Sequence, residues 1–154
     1  MKDGIVDIKA QLIRNCYTTI ENKVEMLNKE LELVQANANE ETKSSAGDKY
    51  ETGRAMMMLE KEKLLSQKTQ HQNQLKPLAK IDPKKLLEVV EVGAVVKTNG
   101  PAYFIATSLG EITLNGHRYF VVSPVSPIAQ AMLGKKIGDE FRFGKNQNQI
   151  IELF

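Results

Sequence analysis

Residues 5–41 read IVDIKAQLIRNCYTTIENKVEMLNKELELVQANANEE and carry the longest regular pattern in the chain. Apolar residues recur there at alternating intervals of four and three, which places them on one stripe of an α-helix. Charged residues such as Glu21, Glu25 and Lys29 fall on the other faces. The pattern predicts one helix from about Ile5 to about Glu41. The stripe comprises Val6, Ala10, Ile13, Tyr17, Ile20, Val24, Leu27, Leu31, Val34 and Ala38.

A second, weaker helical pattern runs from about Asp48 to Ala79. Lys61, Lys68 and His71 interrupt its apolar stripe, and we expect their stems to lie along the seam or at its edge. The run Met56-Met57-Met58 is expected to fill the seam. The apolar residues of this stripe are Met57, Met58, Leu64, Leu65, Leu75 and Leu78.

The segment between the two patterns, residues 39–47, has the composition of a turn. A short turn between two long helices forms an antiparallel hairpin. The alternative is one continuous helix in a parallel dimeric coiled coil. Gly47, Gly53 and the Ser-rich break favour the hairpin, and Pro77 and Pro83 mark its exit.

The chain changes character after Pro83 and predicts an antiparallel sheet packed on one helix, so that the fold class is α+β. Asn115-Gly116 predicts a type I′ turn between two strands. Ser126 as N-cap, Pro127 at the first helical position and Gly134 at the stop predict a short helix. The predicted strands cover residues 93–97, 103–107, 111–114, 117–123, 141–143 and 149–154.

The length, net charge and cysteine count of the chain narrow its possible classes of function. It has 154 residues, a net charge of +2 and one cysteine, Cys16. Near-neutral charge argues against a protein that coats nucleic acid by electrostatics alone. One cysteine excludes an internal disulfide framework and fits a reducing compartment. Without a signal peptide or a long apolar run, the sequence predicts a cytoplasmic protein with no membrane partner.

The predicted turn carries an acidic tip. Asp48 and Glu51 lie three residues apart, so they share a face at the start of the second helix. Carboxylates suit Mg²⁺, but two alone make a poor site, and a second molecule would have to complete it. The structural alternative is that they favour the helix dipole and cap its first turn, with Ser45 and Asp48 at capping-box positions.

Basic side chains surround this tip. Lys43, Lys49 and Arg54 suit contacts with RNA phosphates, and the alternative is a solvated face. Cys16 is expected to pack as a small apolar residue.

The layout resembles the Gre transcript-cleavage factors (GreA/GreB-like) of bacterial RNA polymerase over nearly the whole chain. Gly47-Asp48-x-x-Glu51 matches the family's tip motif. The more specific C-terminal signature is matched by Ser126-Pro127-Ile128-Ala129, Leu133-Gly134-Lys135 and Gly138-Asp139.

The resemblance implies two domains. Residues 1–80 would be an antiparallel coiled-coil hairpin with its acidic tip near residues 40–53. Residues 84–154 would be an FKBP-like domain that docks at the polymerase secondary channel, with Ser126, Pro127, Ile128 and Gly134 as the docking motif. The protein is expected to be a monomer that acts in transcription elongation, transcription regulation and DNA binding.

The resemblance also implies a mechanism in which the hairpin enters the channel of a backtracked polymerase and meets the extruded RNA 3′ end. Asp48 and Glu51 would then help to hold a Mg²⁺ shared with the polymerase and to position the attacking water. The isolated protein would bind no cofactor and would not be an enzyme, because the polymerase supplies the active site.

The tip departs from the family pattern. Tyr50 stands where a basic residue is usual. Thr52-Gly53-Arg54-Ala55 follow Glu51, where the family usually has Asn, a small residue, an acidic residue and a Tyr. Two alternatives therefore stay open. One is a secondary-channel inhibitor or modulator without cleavage activity. The other is an FKBP-like chaperone or isomerase-type binding protein that uses the hairpin as an arm.

Overall fold

The computed structural model describes the backbone of residues 2–43 and 47–154, and the side chains of residues 4–40 and 51–154. Two long helices come first, α1 (Lys2–Lys43) and α2 (Gly47–Ala79). The remaining elements are β1 (Val95–Thr98), β2 (Ala102–Ile105), β3 (Gly110–Leu114), β4 (His117–Val122), α3 (Pro127–Met132), β5 (Glu140–Phe143) and β6 (Asn146–Leu153). This order confirms the predicted α+β class. Among the described residues, no helix combines the length and apolar character that a membrane span needs.

The chain forms two compact units. One joins the residues through Thr18 with Gln74–Phe154, and the other is Thr19–Asn73. The boundary expected at residues 80–84 lies within the first unit. Side chains from both helices hydrogen-bond to the C-terminal part of the chain in that unit, with Asn15 Nδ2 donating to the Thr113 carbonyl over 3.3 Å and Gln74 Nε2 donating to the Ser108 carbonyl.

Within Thr19–Asn73, α1 and α2 pair as the predicted antiparallel hairpin. Leu27 and Leu64 are buried, and the neighbouring stripe residues Val24, Leu31 and Val34 are half-buried. Lys61 Nζ donates a hydrogen bond to Gln35 Oε1 over 3.2 Å, which joins the C-terminal part of one helix to the N-terminal part of the other. Burial of this apolar seam is the main source of stability for two helices that each lack a strong reason to form alone.

Two details of the predicted hairpin are wrong. The helices leave less room for the turn, because α1 continues through Lys43 and α2 begins at Gly47. The good helix formers Glu40 and Glu41, which fell within the predicted turn, belong to α1, and the helix continues two residues beyond them. Residues 44–46 lie outside the described residues. The methionine run does not fill the seam, since only Met57 is half-buried while Met56 and Met58 are exposed.

In the other unit, the first part of α1 buries a different face. Lys9, Leu12 and Cys16 are buried, whereas Val6 and Ile13 of the predicted stripe are only half-buried. The apolar stripe from Val6 to Ala38 is continuous in sequence, but burial follows it only in Thr19–Asn73. In the first unit, the buried residues of α1 lie on a second face of the same helix.

The six strands form one sheet in the order β3-β4-β2-β1-β6-β5. The expected antiparallel sheet is mixed, because β2 and β4 pair in parallel, with Ala102 opposite Tyr119 and Ile105 opposite Val122. β3 lies outside β4 as the partner of a tight hairpin, so β4 returns beside β2 in the same direction. Asn115 and Gly116 both have positive φ, at 52° and 80°, which confirms the predicted type I′ turn.

One face of the sheet and α3 enclose an apolar core. The helix contributes Ile128, Ala129 and Met132. The rest of this cluster comes from the strands and from the segment before β1, and comprises Leu87, Val90, Ala94, Val96, Ile105, Phe141, Ile150 and Leu153. The core therefore fixes the position of α3, which carries Pro127 and Ile128 of the predicted docking motif.

Candidate functional site

The candidate tip lies at the N-terminal end of α2. Asp48 belongs to the first turn of this helix and Glu51 follows three residues later, so both stand on one helical face. The Glu51 side chain is exposed. The Asp48 side chain lies outside the described residues. Both acidic positions of the predicted tip therefore lie at the start of α2, and the second of them carries an accessible carboxylate.

The basic residues predicted around the tip are placed on the same two helix ends. Lys43 is the last residue of α1 and Lys49 lies in the first turn of α2, but their side chains lie outside the described residues. Arg54 is exposed one turn further along α2. It lines a groove between the helices together with residues of α1.

This groove was not expected from the sequence. It has a volume of about 420 Å³ and lies between the two helices of the hairpin. Its apolar wall consists of Val34, Ala38, Met57, Met58 and Leu65. Its polar rim consists of Gln35, Asn39, Arg54, Lys61 and Glu62. One signal could have predicted it, since Met58 and Leu65 each stand one residue beyond a seam position, on the edge of the stripe.

The donor set at the tip fits only part of a Mg²⁺ site. Mg²⁺ requires nearly octahedral oxygen coordination, and two carboxylates leave most positions to water or to another molecule. Among the side chains that the structure describes, no three His, Cys, Asp or Glu residues gather to hold a metal ion. Asp48 and Glu51 alone are too few ligands to fill the coordination sphere of a Mg²⁺ ion.

The predicted docking motif is well defined and has a local structural explanation. Ser126 caps α3, because its Oγ accepts a hydrogen bond from Ala129 N over 3.3 Å and donates one to the Ser123 carbonyl over 2.7 Å. Pro127 occupies the first helical position. Gly134 ends the helix with φ of 84°, a conformation that side chains with a Cβ rarely adopt.

Ile128 is buried in the core, so it is not available to a partner without unfolding. The accessible apolar side chains near α3 are instead Val125, which is 81% exposed, and Ile137, which is 59% exposed. Sequence reasoning missed both, although each is an apolar residue just outside the boundaries of a predicted helix. Single exposed apolar residues of this kind are normal on a protein surface, so their exposure alone does not mark a contact surface.

Two buried groups in the first unit are chemically distinctive. Cys16 is fully buried, as expected of a packing residue, and this burial raises the pKa of its thiol to about 12. Lys9 is buried, and its Nζ donates a hydrogen bond to the Lys85 carbonyl over 3.0 Å. Loss of hydration lowers the pKa of Lys9, while Asp82 and Glu91 partly oppose this effect.

Comparisons with known proteins give a limited result. No model of a protein family matches the chain, and no curated protein does. The crystal structure of GreA factor homolog 1 (Gfh1) of Thermus thermophilus is similar over 90% of this chain and 94% of that chain, with 17% sequence identity and a TM-score of 0.36. A structure of the transcription factor Gfh1 is similar over 90% and 93%, with 17% identity and a TM-score of 0.38. At these values, the function of the chain has to be argued from its own residues.

Proposed function

We propose that this chain is a Gre-like transcription elongation factor, which binds bacterial RNA polymerase, inserts its hairpin into the secondary channel and stimulates cleavage of backtracked RNA. The observation that carries the proposal is the placement of the acidic pair. Asp48 and Glu51 stand at the end of a two-helix hairpin, at the start of α2, and the Glu51 side chain is exposed. A narrow pair of helices with acids at its end suits delivery of carboxylates into a deep site.

The chemistry follows from the number of ligands. Asp48 and Glu51 would hold Mg²⁺ jointly with carboxylates of the polymerase, and a bound Mg²⁺ would stabilise the attacking and leaving oxygens of phosphodiester hydrolysis. The two side chains would also orient the attacking water beside the extruded RNA 3′ end. Lys43, Lys49 and Arg54 would contact RNA phosphates. The factor would activate the polymerase and would not be an enzyme by itself.

The second part of the proposal concerns how the chain docks on the polymerase. The domain that contains the sheet and α3 would be FKBP-like and would bind the rim of the channel. Because Ile128 is buried and Ser126, Pro127 and Gly134 shape the ends of α3, we assign the motif to positioning of the helix. The side chains that would touch the polymerase are the exposed residues beside it, Val125 and Ile137.

The test is RNA cleavage in purified backtracked complexes. Wild-type protein is expected to release short 3′ RNA fragments. Asp48→Asn and Glu51→Gln are each expected to lower the cleavage rate by about a hundredfold, because each removes a charged ligand, while polymerase binding is retained. Glu60→Gln is the matched control, since Glu60 is an exposed acid further along the same helix. It is expected to cleave like the wild type.

The departures of the tip from the family pattern provide a second candidate function. Thr52 follows Glu51 where the family usually has Asn, and the exposed Arg54 stands where it usually has an acidic residue, so the helix surface next to the acids differs from the family pattern. If the wild-type protein binds the polymerase and slows elongation without releasing RNA fragments, the chain is a secondary-channel inhibitor. If it neither binds nor cleaves, the proposal fails.

A further inference from the structure

The methionines of this chain are concentrated on the hairpin. Of the six methionines, Met26, Met56, Met57 and Met58 belong to Thr19–Asn73. Met56 is 66% exposed and Met58 is 58% exposed. Met132, in the other unit, is fully buried. The thioethers of the run Met56-Met57-Met58 are therefore far more accessible than the thioether in the core.

Met57 has a structural position that its two neighbours lack. It lies seven residues before Leu64, which is buried in the seam of the hairpin, and it is itself half-buried. Met57 and Met58 both line the groove of about 420 Å³, together with Val34 and Ala38 of α1. The groove gives small solutes a route to the Met57 side chain, although this residue also takes part in the pairing of the helices.

The thiol of Cys16 does not compete with these thioethers for oxidants. Cys16 is fully buried, and burial raises the pKa of its thiol to about 12. Oxidants react with the thiolate, which is scarce at neutral pH for such a group. Oxidation under mild conditions is thus directed to thioethers, and exposure decides which of them react.

We propose that Met56-Met57-Met58 is an oxidation site through which hydroperoxides weaken the pairing of α1 and α2 near the tip. With hydrogen peroxide, the O–O bond breaks and an S–O bond forms. The sulfur loses two electrons and becomes a sulfoxide, and the peroxide is reduced to water. The sulfoxide is polar, so at Met57 it places a polar group in an apolar seam. This inference does not depend on polymerase binding.

The experiment treats the full-length protein with hydrogen peroxide and follows each methionine by peptide mass spectrometry. Met56 and Met58 are expected to oxidise at least about tenfold faster than Met132, with Met57 intermediate, in line with their exposure. Equal rates for Met58 and Met132 would overturn the proposal. This measurement uses the unmutated chain and does not depend on the folding of any variant.

Thermal unfolding, followed by the helical circular dichroism signal, tests the consequence. Oxidation is expected to lower the Tm of the wild type, and a methionine sulfoxide reductase is expected to restore it. Met57→Leu keeps an apolar group of similar size in the seam and is expected to retain its Tm after treatment. Met26→Leu, an exposed position on α1, is the matched control and is expected to lose Tm as the wild type does. Quantitative oxidation of Met57 without a change in Tm would refute the inference.

Discussion

Lys9 shows how one side chain can depart from the role that its type suggests. Lysine is rarely buried, because burial removes the hydration of its ammonium group. Lys9 is nevertheless buried, and its ammonium donates a hydrogen bond to the Lys85 carbonyl. Asp82 and Glu91 favour its charge and Lys85 opposes it. Desolvation outweighs them, since the pKa of Lys9 is lowered from the ordinary value of 10.5.

Replacement of Lys9 by methionine is expected to stabilise the protein. Lys9→Met keeps most of the side-chain length and removes the cost of burying a charge, so the free energy of unfolding at pH 7 should rise by about 1 kcal/mol. Urea unfolding measures this change. Lys29→Met, at an exposed residue whose ammonium lies 3.8 Å from the Glu25 carboxylate, is the control and should change stability by less than about 0.5 kcal/mol. A loss of stability in Lys9→Met would show that the hydrogen bond outweighs desolvation.

The same substitution has an expected pH dependence. A lysine with a lowered pKa releases its proton from the folded state first, so the unfolded state binds more protons as the pH rises towards 10.5. The cost of the buried charge is therefore present at neutral pH and declines as the pH rises. The stability difference between Lys9→Met and the wild type should narrow accordingly. Cys16 and Tyr103, whose pKa values are raised by burial, affect both proteins alike and cancel in this difference.

The hairpin helices illustrate how a periodic pattern becomes a stable element. The stripe of α1 predicted its seam in Thr19–Asn73, where Ile20 and Leu27 are buried. The weaker stripe of α2 predicted Leu64 correctly but not Leu65, which is exposed. Adjacent residues on a helix point about 100° apart, so only one of two neighbouring leucines can face the partner. The choice between them depends on the partner helix.

Leu64 is therefore expected to carry far more stability than other leucines of α2. It is 3% exposed, whereas Leu59 is 66% exposed. Leu64→Ala should lower the free energy of unfolding by about 3 kcal/mol, because it removes buried methyl groups and leaves a cavity. Leu59→Ala should change it by less than about 0.5 kcal/mol. Thermal unfolding of the two variants under the same conditions provides the comparison. Similar losses in both would contradict the described seam.

The C-terminal elements were more predictable, since their boundaries are set by local chemistry. Ser126, Pro127 and Gly134 mark the ends of α3 by capping, fixed φ and positive φ, all of which are short-range effects. Asn115-Gly116 likewise specifies the turn between β3 and β4. The parallel pairing of β2 with β4 was not predicted, because it depends on which strands become neighbours across the whole sheet.

For the molecule as a whole, the candidate functions are carried by two different units. The acidic end of the hairpin belongs to Thr19–Asn73, whereas α3 and its exposed neighbours belong to the unit that contains Gln74–Phe154. Binding and catalysis should therefore be separable by mutation. Tip variants test catalysis, and variants beside α3 test binding.

Val125→Asp is expected to weaken binding to RNA polymerase by about tenfold, because it places a charge in an apolar contact. Its fold should be unaffected, since Val125 is 81% exposed. Direct binding to purified polymerase measures the effect, and an unchanged Tm confirms folding. The matched control is Ile151→Asp, which makes the same change at an apolar residue of β6 that is 52% exposed. Wild-type affinity in Val125→Asp would remove this surface from the proposal.

The sequence by itself determined the two helices, the ends of α3, the turn at Asn115-Gly116 and the position of Asp48 and Glu51 at the start of α2. Each of these follows from periodicity or from interactions within a few residues. Only the tertiary structure decided that Lys9 is buried, that Met58 lines a groove, and that β2 and β4 run in parallel. These features depend on contacts between residues far apart in the chain. The pattern of apolar residues along an element shows which of its faces are apolar, and packing selects the face that is covered.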